Sequence, residues 1–249
     1  NPMRDIEKSL YIINGRKCHS KIIMLTDGRK TLMNYRSELS QMNYKNNVQM
    51  RIAAHCAQVL AGVKPSNSVT LGREDTTVFI QALTGTGIQR RLIYDGVKRC
   101  VWLLYRENEL EHYLMIREHQ EFMKSCGYNS VRLSDTFSVL CKNFRQYKNG
   151  ERGFPHELGL ILGYPLCDVE GFIRHQGRGC LFSGYWKVYG NAEDTRKLFE
   201  VYDLVKYQIM KQVQNNKTLA QITASYQNYG ILKSSRNICC PCCFNVTGN

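Results

Sequence analysis

Two neighbouring pairs in this chain carry residue types that could do covalent or acid–base chemistry. His55-Cys56 places an imidazole beside a thiol, and a thiolate so placed is a nucleophile or a metal ligand. His156-Glu157 follows Phe154-Pro155. Proline favours the first helical position, so this spacing puts His156 and Glu157 in a first turn. The free amides there disfavour a protonated imidazole, which leaves His156 able to act as base or ligand. Cys56, His156 and Glu157 or Asp168 thus supply the thiol, base and orienting group that a cysteine hydrolase or acyltransferase needs. Each has a plainer competitor. Cys56 falls on an apolar helical face, well inside the helix, where a thiol acts as a small hydrophobe. Glu157 can satisfy a helix start while His156 packs or caps.

A second group has the types that line a ligand pocket. Gly163-Tyr164-Pro165 and Tyr185-Trp186-Lys187 put aromatic rings near glycines and a lysine, a composition suited to a flat ligand or a phosphate and equally to core and turns. With His55 and Asp168, the residues Tyr164, Trp186 and Lys187 are the candidate ligand-binding set. Thr84-Gly85-Thr86-Gly87 lacks the spacing of a phosphate loop and reads as a helix terminator. His112 and His119, among glutamates, read as a solvated acidic face. Cys239-Cys240-Pro241-Cys242-Cys243 lacks the second ligand pair of a structural zinc site, so no metal site is assigned and the cofactor is left open.

The elements that must hold these residues follow from periodicity. Asn47 can cap a helix from Val48 with Ile52, Cys56, Val59, Leu60 and Val63 on one face, stopped by Gly62 and Pro65. A short strand over 68–71 and a helix over 74–83 follow. A hairpin joins 90–94 to 98–105 through Asp95-Gly96. Its second arm is apolar on both sides, so it reads as a central strand. Helices are expected over 108–126 and 133–147, from Pro155, and over 168–175. A strand is expected over 180–189. Asn191 caps a last helix whose Leu198, Tyr202, Val205 and Ile209 dock. The sum is an α+β domain over 48–213: a small sheet of three to four strands including a hairpin, with about five to six helices packed on it. Residues 1–47 read as a weakly structured extension, and 214–249 as a disordered or loosely docked, cysteine-containing tail.

The 249 residues carry 34 Lys and Arg against 21 Asp and Glu, a net charge of +13. The excess lies mostly at the ends: residues 1–47 hold +5, residues 207–249 hold +4, and the 159 residues between hold only +4. A basic balance placed in the ends rather than on the body argues against a dedicated nucleic-acid binder. No run approaches the roughly 20 apolar residues of a membrane span. Of the 11 cysteines, Cys18, Cys56, Cys100, Cys126, Cys141, Cys167 and Cys180 are scattered singly. Scattered thiols without a secretory signal point to a reducing cytoplasm.

Several of these runs also carry a resemblance. His55-Cys56-Ala57 with Leu60-Ala61-Gly62-Val63-Lys64-Pro65, then Trp102-Leu103-Leu104-Tyr105-Arg106, resemble the bacterial family called domain of unknown function 3793, of anaerobic Firmicutes. The resemblance continues through Phe154-Pro155-His156-Glu157-Leu158-Gly159-Leu160-Ile161-Leu162-Gly163-Tyr164-Pro165 and Asp168-Val169-Glu170-Gly171-Phe172. It ends with Ser183-Gly184-Tyr185-Trp186-Lys187-Val188-Tyr189. It spans about residues 50–206. The family has no established activity. Its genes neighbour those of flavodoxins, so the resemblance implies a link to electron transfer or iron handling. Three functions are therefore expected, in this order. The first is a small-molecule or cofactor-binding accessory protein of redox or metal metabolism. The second is an enzyme using Cys56 and His156 for hydrolysis or acyl transfer. The third is a module docking on an acidic redox partner such as a flavodoxin.

Overall fold

The computed structural model describes residues 47–228 together with Glu38; the expectations for 1–37, for 39–46 and for the cysteine cluster at 239–243 lie outside the described residues. Helix α1 (Val48–Leu60) starts where the sequence places it. The Asn47 side chain accepts the Met50 amide at 3.0 Å, which satisfies one of the helix's open donors. One feature was not legible. At Cys56 the backbone leaves helical geometry (φ −123°, ψ 17°), so α1 kinks. The Asn67 amide donates to the His55 carbonyl at 2.5 Å. At the far end, the Arg106 guanidinium donates to the Val59 and Leu60 carbonyls at 2.7 and 2.9 Å, and Gly62 turns the chain with φ of 74°.

Next come β1 (Ser66–Gly72), a short 3-10 turn, α2 (Thr76–Ala82), β2 (Gln89–Asp95) and β3 (Arg99–Tyr105). All pairs are antiparallel and the order is β1-β3-β2, so the apolar arm is central as expected. Alternation splits its side chains between two cores. Cys100, Trp102 and Leu104 face a core shared with α1, and Leu103 faces a second core beneath the following helices.

The expected helix over 108–126 is two helices, α3 (Glu107–Leu114) and α4 (Arg117–Ser125). Side chains explain the break. A His119 ring nitrogen pairs with the Tyr113 carbonyl at 2.7 Å, and the Gln120 amide donates to the Met115 carbonyl at 2.8 Å. Those carbonyls lie where a continuous helix would have used them. His119 is consequently 0% exposed, which corrects its reading as part of a solvated face.

Beyond α5 (Leu133–Lys148), α6 (Leu158–Ile161) starts later than Pro155 suggests. His156 and Glu157 lie in the turn before it, not in a helical first turn. After α7 (Leu166–Arg174), the expected strand over 180–189 folds back at Gly184 into a hairpin, β4 (Phe182–Ser183) and β5 (Lys187–Val188). Asn191 then caps α8 (Ala192–Gln214), accepting the Asp194 amide at 3.1 Å. The tail reading needs correction as far as residue 228. The chain forms α9 (Leu219–Asn228), whose Leu219, Ile222 and Tyr226 are fully buried. Three such side chains contribute about 1.5–3 kcal/mol each, enough to dock a segment that is polar in composition. The described residues thus form an α+β fold with a three-stranded sheet, a two-stranded hairpin and nine helices.

Candidate functional site

Asp168, in the first turn of α7, spends both carboxylate oxygens inside the protein. One accepts the Trp186 indole N–H at 2.7 Å; the other accepts the amides of Tyr189 and Gly190 at 2.7 and 2.8 Å. It is 2% exposed. These bonds clasp the β4–β5 hairpin onto α7. Trp186 is held from its other partners as well: it stacks on Tyr164 with centroids 4.9 Å apart and meets Phe199 of α8 edge-on at 4.6 Å. Of the five expected ligand-binding residues, Tyr164, Asp168 and Trp186 meet, and they do so as the buried backing of the hairpin. Lys187 points elsewhere, donating to the Gly177 carbonyl at 2.7 Å.

The thiol set is not assembled. Cys56 is fully buried in the core of α1, α8 and the sheet, and burial pushes its thiol up to about 12. Its charged neighbour is Lys64, 4% exposed, whose amine burial depresses to about 7. The Lys64 Nζ lies 4.8 Å from the centre of the Tyr164 ring. His156 sits between Phe154 and Phe172, at 5.5 and 5.3 Å between ring centres. Glu157 turns into the other core and accepts from Asn143 at 2.9 Å and Tyr128 at 3.1 Å. His55 is exposed on α1, with its imidazole disfavoured as a cation by burial of part of the ring and by Lys206 and Arg51. No hydrogen bond among the described residues joins Cys56 to His156, and Cys56 has no exposed surface. An un-ionised thiol in the core is not a nucleophile at neutral pH.

An open site lies on the other side of the hairpin. Between β4–β5 and α8 is a cleft of about 570 Å³, within the range of small-molecule sites. Three aromatic residues line it, Phe182 and Tyr185 from the hairpin and the edge of the buried Phe199 from α8. Gly184 makes this approach possible, because a Cβ there would stand 2.3 Å from the Phe199 ring. Its charged lining is a stripe of α8, Arg196, Glu200, Asp203 and Lys206. The Arg196 guanidinium lies 4.1 Å over the Phe182 ring and makes no ion pair among the described residues. Tyr185 donates to Asp203 at 2.9 Å; burial and that carboxylate raise the phenol well above its ordinary range, so it stays a donor. Lys206 is half-buried, and desolvation disfavours its charged form.

The model of the family described as protein of unknown function (DUF3793) matches residues 52–223. The chain belongs to this family. Neither the curated proteins nor the solved structures contain a match to it. The clasp, the Cys56–Lys64 core and the whole cleft fall inside the DUF3793 segment. Sequence reasoning missed Phe182, Arg196, Phe199, Glu200, Asp203 and Lys206. The signal available was the i, i+4, i+7 spacing of Arg196, Glu200 and Asp203 beside the docked face of α8, but an exposed charged stripe reads as solvated until a hairpin covers it.

Proposed function

We propose that this protein binds a small, flat, polar molecule in the hairpin–α8 cleft and serves as an accessory protein, not a thiol enzyme. The observation that carries this reading is the cleft itself, lined by three aromatic residues and by the charged side chains of Arg196, Glu200 and Lys206. Arg196, Glu200 and Lys206 make no ion pair within the described residues, and convergent unsatisfied polar groups on an apolar wall are what a ligand site needs. The hydrolase reading draws no support from a buried, un-ionised Cys56. No disulfide joins the six cysteines of the described residues to one another, in keeping with a reducing cytoplasm. A link to redox or metal metabolism rests on the family resemblance.

The test is a thermal-shift screen of nucleotides, amino acids and aromatic carboxylates, run on the protein and on Ser183→Trp. Ser183 is exposed at the cleft wall, so tryptophan there fills the cleft without entering the core. At least one compound should raise Tm in the protein and lose its effect in Ser183→Trp. A screen with no such compound overturns the proposal.

A further inference from the structure

Resting on the cleft as a ligand site, we infer that its ligand is a nucleoside monophosphate: an aromatic base, a vicinal diol and a phosphate, each matched by a group the cleft leaves open. Arg196 supplies the phosphate site. Its guanidinium is fixed in place by stacking at 4.1 Å on Phe182, and it makes no hydrogen bond or ion pair among the described residues. A planar, oriented fork with free N–H groups is the arrangement that grips a phosphate with two parallel bonds. Glu200, one turn along α8, is exposed and makes no ion pair or hydrogen bond among the described residues. Arginine and glutamate four residues apart commonly pair on a helix; here Arg196 lies on Phe182 instead, and the carboxylate stays open. A carboxylate accepting from sugar hydroxyls is a standard element of nucleotide sites.

The remaining length selects the base. The helix rises about 1.5 Å per residue, so Arg196 and Lys206 begin roughly 15 Å apart along α8. A single amino acid reaches only part of that span. Tyr185, half-buried at the cleft wall, offers apolar surface for a ring beyond the sugar. Lys206 at the far end makes no ion pair or hydrogen bond among the described residues and is placed to donate to a ring carbonyl or nitrogen.

Calorimetric titration of the full chain with AMP, GMP, CMP and UMP, and with adenosine, 2′-deoxyadenosine 5′-monophosphate, L-tyrosine and L-phenylalanine, tests this. At least one monophosphate should bind, and removing its phosphate should weaken binding tenfold or more. Arg196→Ala should bring the monophosphate to the level of its nucleoside. Glu200→Gln should erase most of the preference for ribo- over deoxyribonucleotide, and Ser183→Trp should abolish binding. Both α8 residues are exposed, so these variants keep the fold, which circular dichroism checks. Binding of an amino acid alone, lost in Ser183→Trp, overturns the nucleotide assignment and leaves the ligand-binding reading standing. Monophosphate binding unchanged in Arg196→Ala and in Ser183→Trp overturns the assignment of this cleft. No binding by any compound here or in the wider screen overturns both.

Discussion

The Lys64 ammonium lies 4.8 Å from the centre of the Tyr164 ring, inside the core and with no carboxylate in ion-pair reach among the described residues. The ring face offers part of the stabilisation that water would give, and burial depresses the amine to about 7. The unfolded chain holds this proton up to an ordinary lysine value, so between about pH 7 and 10.5 it binds more protons than the folded one. Stability must therefore rise with pH across that window, by at most about 1.4 kcal/mol per unit. Cys56 works in the opposite sense above pH 9, because its thiol ionises first in the unfolded chain. Lys206, whose charged form burial also disfavours, adds in the same sense, so the difference between the protein and Lys64→Met over pH 7 to 9 isolates Lys64. Urea midpoints measured at pH 7, 8 and 9 should increase, and Lys64→Met should flatten the series while raising the midpoint at pH 7. A flat series in the parent protein would show that Lys64 keeps its charge at no cost.

The buried thiol makes a second prediction. Cys56 is 0% exposed, while Cys126, Cys141, Cys167 and Cys180 are partly exposed. A maleimide reagent at pH 7.5, read by peptide mass spectrometry, should label those four while Cys56 stays unmodified until the protein is unfolded. Labelling of Cys56 ahead of the others would restore the thiol-enzyme reading.

What the sequence disclosed and what it hid have a common cause. Elements set by local rules were legible: the Asn47 and Asn191 caps, the hairpin itself, though Asp95 ends β2 and the turn is residues 96–98, and the apolar β3 arm. Elements set by distant partners were not. The α3–α4 break depends on His119 and Gln120 reaching back to carbonyls. Helix α9 depends on a core waiting for Leu219, Ile222 and Tyr226. The cleft depends on Gly184 pressing the hairpin against Phe199, and no spacing within the hairpin announces a residue on another element.

The Asp168 clasp makes a third prediction. Asp168→Asn keeps the size of the side chain but leaves one oxygen for three donors, and its amide N–H₂ faces either the indole N–H or two backbone amides. A buried donor left without an acceptor costs about 1–3 kcal/mol. Asp168→Asn should lower the urea midpoint accordingly and shift the emission of Trp186, measured in a Trp102→Phe background so that one indole reports. An unchanged midpoint would mean that the hairpin is held by its ring packing alone.

Gly184 makes the last prediction, and it ties the hairpin to the cleft. An alanine Cβ at this position would lie 2.3 Å from one ring carbon of Phe199 and 2.5 Å from another. Phe199 has no room to retreat: Trp186 meets it edge-on at 4.6 Å, Tyr185 at 5.2 Å and Phe182 at 5.8 Å. The hairpin must lift, at a cost of about 1–3 kcal/mol for an overpacked contact. Lifting it carries Phe182 and Tyr185 away from α8 and takes Arg196 off its stacking partner. Gly184→Ala should therefore lower Tm and also weaken whatever ligand the cleft binds by tenfold or more, two effects from one methyl group. Gly153→Ala is the matched control, because nothing lies within 4 Å of its added Cβ. A Gly184→Ala protein that loses stability yet binds at full strength would separate the hairpin from the ligand site.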